Sequence, residues 1–577
     1  MINQNKTLKT KKKLRIIVFG FLCCLLIITA KLFYLQGHLF DRLFIRSQKN
    51  FLRTEPTDSL RGNIFDHNGE LLATNRPTHN IFWQGSGNQK LSQEQISVLN
   101  FLEITLQKKI TCDSYLKTIK RAEKYFKKEL ISPDISFEEL SKIIEQFPLH
   151  PNLIVDTSVK RFYPHKNIAS HVVGYLGAIN YEATGKMGIE KLFNDSLKGE
   201  SGELLRTINS LGRNLKEKEI KKALAGQDLH LTLDLKLQKL AEKHFPETKK
   251  GAFILMDSFS GALKVIVSRP SFNPNIFLDS IISNDWKKIQ ETQPFINRAF
   301  DSCYPPASIF KLITVSAALE EKIITQDSTW NCKGFFRFGK SNLRCRAKHG
   351  SLTTELAVAH SCNILFYEIG KRMNIDTLAH YAHTFGLGKK TNILFSEKKG
   401  LIPTYNWKIE YKGERWWKGE TLSVAIGQSF LLTTPIQIAR MVASIASGSL
   451  VNPRILEKET IIKQPLKISE KTRAFLNQSM RTASTEGTGK RLNNIENLTI
   501  FAKTGSAQTS ELSKRKLGDK YLEHGWFVAN IFYKNEKPIT LVVIVENAGG
   551  SRIPVNITKK FLIEYSKLMQ DEERKNS

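Results

Sequence analysis

Negative charge is scarce in this chain relative to positive. Its 577 residues carry 55 Asp and Glu against 86 Lys and Arg, a formal net charge of +31. A balance of that kind suits a nucleic acid, an anionic membrane surface or an acidic polymer. No aromatic–basic nucleic-acid motif accompanies it, and the lysines are spread along the chain, so it reads as a lysine-rich composition and no nucleic-acid partner is expected. Internal repeats are also missing, which argues against a repeat array. Disorder is excluded too, because 41% of the residues are hydrophobic, enough for a large core. At about 100–200 residues per domain, the length allows three or four units.

Long apolar runs are limited to one. Leu14 to Leu35 is apolar apart from Arg15 and Lys31 near its ends. A bilayer core takes about 20 helical residues, so this run can span it. Lys6, Lys9, Lys11, Lys12, Lys13 and Arg15 precede it, and the positive-inside rule keeps that side cytoplasmic. A small-x-small cleavage site is lacking after Ala30, which argues against a removed signal peptide. The expectation is a single-pass inner-membrane protein with a cytoplasmic tail at 1–13, a span at 14–35 and a periplasmic remainder.

Beyond the span, Arg61-Gly-Asn-Ile-Phe-Asp66-His-Asn-Gly69 reads as strand–turn–strand. Residues 91–147 instead space their apolar positions three or four apart and predict amphipathic helices, an insertion in a β-rich module. Around residues 226–250 the texture changes. Gly251–Met256 and Ala262–Val267 flank a Ser-Gly turn as a hairpin does. Leu498–Ala502, Trp526–Phe532 and Ile539–Val545 read as three more strands, with mostly helical patterns between the two groups. That order predicts one antiparallel sheet assembled from both ends of a domain and flanked by helices, an α+β fold. The expected domains are a pedestal at 36–245 and a second domain at 246–570. The charged end, Asp571–Ser577, is expected to fray.

Chemistry concentrates in three short elements. Tyr304-Pro-Pro-Ala-Ser308-Ile-Phe-Lys311 places a serine at a helix entry and a lysine three residues on, on the same face. The neighbours Phe310, Leu312 and Ile313 are apolar, and a lysine desolvated among them has a lowered pKa and can take the serine proton. By itself the pair is weak: Ser114, Ser396 and Ser513 are also followed by lysine at the third position. Ser361-Cys-Asn363 falls on a corner between two helical runs, where a hydroxyl can relay a proton; Ser86 and Ser271 show the same spacing. Lys503-Thr504-Gly505-Ser506 occurs once, at the end of a strand, where glycine lets another backbone approach.

Serine–x–x–lysine, serine–x–asparagine and lysine–threonine–glycine, in that order, resemble the penicillin-binding protein and serine β-lactamase superfamily. Arg61–Gly69, Gly188-Ile-Glu190, Trp416-Trp417-Lys-Gly-Glu-Thr and Gly427-Gln-Ser-Phe-Leu-Leu-Thr-Thr-Pro435 narrow the resemblance to the class B, elongation-type members. Two departures, His67 for arginine and Ser506 for threonine, remove no needed group. The resemblance implies a peptidoglycan D,D-transpeptidase acting on stem peptides ending in D-Ala-D-Ala, inhibited by β-lactams. It implies Ser308 as nucleophile, Lys311 as base, Ser361 as proton relay, Asn363 on the substrate amide, and Lys503 and Thr504 on the terminal carboxylate. Gly505 belongs to the same strand element, and the N–H groups of Ser308 and Ser506 would form the oxyanion hole. It also implies a glycan-polymerising membrane partner and an elongation scaffold, both docking on the insertion at 91–147. The alternatives are a division-specific relative, or a β-lactamase or β-lactam sensor, for which no deacylation glutamate or extra spans are found.

Cys332, Cys345, His349 and Cys362 lie close in sequence, a ligand set that suits one structural zinc. Some elongation-type relatives hold zinc in this segment. A disulfide and free thiols remain the alternatives.

Overall fold

The structure is a computed structural model that describes residues 2–179, 182–209, 214–278, 283–510, 512–534 and 536–576. Met1 of the expected tail, residues 180–181 and 210–213 of the expected pedestal, residues 279–282, 511 and 535 of the expected second domain, and Ser577 lie outside the described residues. The chain divides into two compact units, each discontinuous in sequence. One comprises Met1–Leu60, Arg76–Lys160 and Lys198–Gly226; the other comprises Arg61–Asn75, Arg161–Leu197 and Gln227–Ser577.

The first unit begins with the helix Ile2–Phe33. The stretch Lys11–His38 has a mean hydropathy of 2.6 in its most apolar window and none of that window is buried. A helix apolar all round with no protein against it is long and apolar enough to cross a membrane. Further on, the helices Gln93–Thr105, Asp113–Lys124 and Phe137–Gln146 appear where the periodicity predicts them. Ser92 with Gln95, and Ser136 with Glu139, form reciprocal capping boxes that fix two of the starts. The three close over Trp83, Val98, Leu102, Ile119 and Ile143. The insertion is not purely helical, however. Lys128–Ile135 is a strand, antiparallel to residues 79–84. Its buried apolar residues, Ile131 and Ile135, stand four apart, a helical spacing, and Pro133 interrupts it, so only the partner strand reveals it.

The second unit holds a five-stranded antiparallel sheet in the order Leu263–Arg269, Gly251–Asp257, Ile539–Val545, His524–Tyr533, Leu498–Ala507. Both ends of the domain contribute, as expected. Because each face is covered, alternation shows in which layer a side chain joins rather than in exposure. Ala252, Ile254, Met256, Trp526, Val528, Val542 and Ile544 join the layer that holds Leu312, Ile313, Ile438 and Met441. Phe253, Leu255, Phe527, Ala529, Val543 and Val545 face Phe561, Leu562 and Leu240. The Lys-Thr-Gly element lies inside the strand Leu498–Ala507 rather than after it, and this strand is the sheet edge. The frayed end is also corrected: the last helix runs Arg552–Asn576, and Glu573 accepts bonds from Tyr533 and Lys534.

The motif stretches at 61–69 and 188–190 meet inside this unit. Glu190 is fully buried and takes Arg61 Nε at 2.7 Å, Arg161 Nε at 2.7 Å and the Tyr163 hydroxyl at 3.1 Å. Asp66 accepts the N–H groups of Asn68, Glu70 and Leu235, tying the turn to the helix Leu235–His244. These acids are structural, since every polar contact they make is to the protein's own frame.

Candidate active site

Ser308 sits in a single 3-10 turn, Ala307–Ile309, that leads into the buried helix Lys311–Glu320. The turn is held from three sides. Tyr304 bridges to Thr433, the Ala307 N–H donates to the Gly427 carbonyl at 2.9 Å, and Trp526 Nε1 donates to the Pro305 carbonyl at 3.0 Å. Two glycines permit this. A Cβ on Gly427 would stand 1.9 Å from the Ala307 oxygen, and one on Gly505 would press on Trp526, Ile309 and Pro306. At Gly505 the backbone that approaches is thus the serine turn itself.

Lys311 is wholly buried. Its Nζ donates to Asn363 Oδ1 at 2.6 Å, to the Ser361 carbonyl at 2.9 Å and to Ser361 Oγ at 3.3 Å. Lys503, equally buried, reaches the same Ser361 Oγ at 2.9 Å and the Thr504 carbonyl at 3.3 Å. One hydroxyl therefore joins two lysines. Burial brings the Lys311 ammonium down to about 7, with the electrostatic influence of Cys345 and Cys362 opposing it. Burial lowers Lys503 well below the usual lysine range, and the Lys311 and Arg346 charges lower it further. Two ammonium groups cannot share one buried hydroxyl cheaply, so at neutral pH a free amine is available there.

The corner that carries Ser361 lies between the helices Thr354–Ala359 and Asn363–Arg372. Ser361 itself has φ 56°, the left-handed region, which a residue with a Cβ adopts only when its surroundings hold it. Asn363 Nδ2 donates to the Arg344 carbonyl at 3.0 Å, so both ends of this amide are already engaged. The Ser308 hydroxyl makes no hydrogen bond among the described residues, whereas the Ser506 hydroxyl is buried without a partner. Sequence reasoning missed Thr488, whose hydroxyl accepts from Thr504 Oγ1 at 2.8 Å. It is brought there by the fold, and no local pattern marks it. Of the expected residues, Lys311, Ser361, Asn363 and Lys503 thus come together through hydrogen bonds, while the Ser308 and Ser506 hydroxyls make none to them among the described residues.

Beside that corner stand the four possible metal ligands. The Cys332, Cys345, Cys362 and His349 donor atoms all lie within 4.8 Å of one another. His349 Nδ1 is 3.4 Å from Cys332 Sγ and 3.7 Å from Cys345 Sγ, and Cys345 Sγ is 3.9 Å from Cys362 Sγ. A tetrahedron with Zn–S bonds of about 2.3 Å has edges of ~3.8 Å, so the set fits a zinc ion. The seven cysteines are free thiols. Cys345 is pushed down to about 4, chiefly by its hydrogen bond with Cys362, whose own thiol is pushed up by the same contact.

The arrangement suits acyl transfer: a serine at a helix entry, a free amine behind it, a shared hydroxyl and an edge strand for an extended peptide. The penicillin binding protein transpeptidase domain matches residues 251–562, and the penicillin-binding protein dimerisation domain matches residues 56–231. The peptidoglycan D,D-transpeptidase MrdA of Acinetobacter baumannii is 30% identical over 571 residues, covering 92% of this chain and 84% of that protein. Stage V sporulation protein D of Bacillus subtilis is 29% identical, covering 94% and 82%. Among solved structures, the complex between penicillin-binding protein PBP2 and MreC from Helicobacter pylori has a TM-score of 0.74 at 26% identity, covering 90% of this chain and 99% of that one. A structure described as the coordination of polymerization and crosslinking by a peptidoglycan synthase complex has a TM-score of 0.75 at 28% identity, covering 96% and 98%.

Proposed function

The chain belongs to the penicillin-binding protein family and is a serine D,D-transpeptidase that cross-links peptidoglycan in cell elongation; on that premise we propose what its residues do. Ser308 Oγ attacks the carbonyl of the penultimate D-alanine, and Lys311, as its free amine, takes the proton. Ser361 passes that proton between the two lysines and on to the leaving D-alanine. Lys503 and Thr504 hold the terminal carboxylate. Asn363 positions Lys311 through its 2.6 Å bond, a role added to the expected contact with the substrate amide. The N–H groups of Ser308 and Ser506 receive the oxyanion.

The observation that carries this reading is the single Ser361 hydroxyl within reach of two buried lysines. Fluorescent penicillin followed by mass spectrometry tests it. The added mass is expected on the peptide containing Ser308 and is expected to vanish in Ser308→Ala; an adduct on another serine overturns the assignment.

Cys332, Cys345, His349 and Cys362 hold one structural zinc in this reading, supported by the fit of their donor atoms. The ion would supply rigidity to the corner between Ser361 and Asn363 and no chemistry on substrate.

The apolar helix at the N-terminus spans the inner membrane with its lysine-rich end cytoplasmic, supported by hydropathy and flanking charge. A periplasm-specific reporter fused after residue 50 reads the orientation, and a silent fusion reverses it. The insertion at 91–147 docks a scaffold of the elongation machinery and a glycan-polymerising partner; the Helicobacter pylori neighbour is in complex with MreC, and the other neighbour is a peptidoglycan synthase complex. Its exposed Phe137, Ile104 and Tyr125 provide apolar contact area. Deleting it is expected to abolish the complex while penicillin labelling persists; an intact complex rejects the docking role.

A further inference from the structure

The segment that holds the serine turn also carries one side of an aromatic cluster. Trp407 and Tyr411 stand four apart on the helix Tyr405–Lys412, with near-parallel rings 6.2 Å between centres. Phe430 packs on Trp407 at 5.3 Å. Tyr411 is 72% exposed, and Trp407 and Phe430 are half-buried. Lys408, on the same helix, is buried. Its ammonium pairs with Glu420 at 2.5 Å and lies 5.8 Å from the Trp416 ring and 6.0 Å from the Phe430 ring. Taking that ammonium out of water is costly, and the carboxylate and the rings offset the cost only in this arrangement. The rings are therefore locked in place while part of their surface stays in water, which makes a preformed contact surface.

Its place relative to the nucleophile is fixed by short links. The Gly427 carbonyl accepts the Ala307 N–H at 2.9 Å, and Gln428 Nε2 donates to the Ser506 carbonyl at 3.3 Å. Phe430 follows three residues after Gly427, so its backbone lies at most about 11 Å from that contact. A stem peptide puts about four residues between the acyl carbon and its sugar, roughly 14 Å when extended. The two spans are of one size, so a sugar can rest on the rings while the acyl carbon is at Ser308. The chemistry also suits a sugar. One face of a pyranose presents C–H groups, which the negative face of an aromatic ring attracts. The sugar's edge presents hydroxyl and acetamido groups, which need polar partners. Asn406 and Glu410 supply them: both are exposed, each precedes a ring residue, and neither makes a side-chain bond among the described residues. A lipid chain would want an unbroken apolar face, which these two interrupt.

We propose that Trp407, Tyr411 and Phe430 form a saccharide platform that holds the N-acetylated amino sugar carrying the donor stem peptide. The inference rests on the D,D-transpeptidase reading and adds to it a subsite for the glycan. Trp407 and Tyr411 are specificity residues here: they touch the sugar and leave the reacting atoms to Ser308 and the two lysines.

The test uses the full-length enzyme and two donors: a pentapeptide ending in D-Ala-D-Ala, and the same pentapeptide attached to its peptidoglycan disaccharide. Release of D-alanine is measured for each. The wild type is expected to favour the sugar-bearing donor about tenfold in kcat/KM, the size of two ring contacts. Chitotetraose, a peptide-free N-acetylglucosamine tetramer, should inhibit turnover of the sugar-bearing donor and spare the free peptide. Tyr411→Ala with Trp407→Ala should bring the ratio of the two donors to about one, whereas Tyr411→Phe with Trp407→Phe should retain most of it. Penicillin labelling reports folding, and the single Tyr411→Ala variant, at an exposed position, stands in if the double variant fails to fold. A wild-type ratio near one overturns the platform. So does a preference that the alanine variants leave unchanged, which would make the rings a protein contact or packing alone. Failure of the wild type to release D-alanine from either donor overturns the transpeptidase reading instead.

Discussion

At the scale of single residues, Lys311 is defined by what surrounds it. Apolar packing removes its water, and Ser361 and Asn363 supply the three hydrogen bonds that keep it placed. An arginine would keep a positive charge there and could not surrender its proton. Lys311→Arg is therefore expected to slow acylation by Ser308 by roughly 10²–10⁴-fold, the range for losing a general base. Stopped-flow penicillin acylation measures it; a variant within threefold of the wild type would show that the lysine serves only as a charge. This residue was legible in the sequence, because apolar neighbours flank it directly. Thr488 was not, since nothing near it marks it and its partner, Thr504, is reached across a turn.

Among elements, the corner between the helices Thr354–Ala359 and Asn363–Arg372 bears the most. Ser361 is held there in left-handed backbone between two lysines, and Cys362 follows it immediately. A metal on Cys362 would resist motion of Ser361 more stiffly than packing alone, through bonds of about 2.3 Å. Chelation of the native protein is expected to release about one zinc per chain. It is further expected to slow penicillin acylation severalfold, with zinc restoring it. A native protein with no metal by elemental analysis, and acylation indifferent to chelator, ends that assignment. The set was visible as a crowding of Cys and His in the sequence; its closeness to a tetrahedron was not. That depends on the short strands Thr329–Cys332 and Gly350–Thr353 pairing so that Cys332 stands opposite Gly350, next to His349.

For the whole molecule, buried ionisable groups link folding to pH. His171 lies within the second unit at 4% exposure and shares a 2.6 Å hydrogen bond with the Pro294 carbonyl. Burial brings its pKa from 6.5 down to about 4, despite that bond, and the Arg298 and Arg269 charges add to the effect. The unfolded chain takes up this proton near pH 6.5, whereas the folded one resists until about pH 4. The contribution is thus complete above pH 6.5 and declines as the pH falls, by roughly 3 kcal/mol at pH 4. Denaturant melts of wild type and His171→Asn are expected to diverge less at pH 4.5 than at pH 7, because the variant lacks the titrating group. Parallel pH profiles would place the acid sensitivity elsewhere.

The sequence by itself determined whatever is encoded locally. That includes the apolar helix, the two groups of strands, the helix that presents Ser308 and Lys311, and the ordered trio that carries the family. Each is a matter of periodicity or of a short motif, and neighbouring residues alone specify it. The strand Lys128–Ile135 escaped because its buried residues are spaced as in a helix and its bonds go to another strand. Only the tertiary structure decided that one Ser361 hydroxyl joins lysines 50 and 142 residues away. It alone made Gly505 a seat for the serine turn, and brought Arg346, Lys490, Arg491 and Arg552 to a single cavity. Those contacts are chosen by how a packed sheet and its helices close on one another, and local sequence holds no record of that closure.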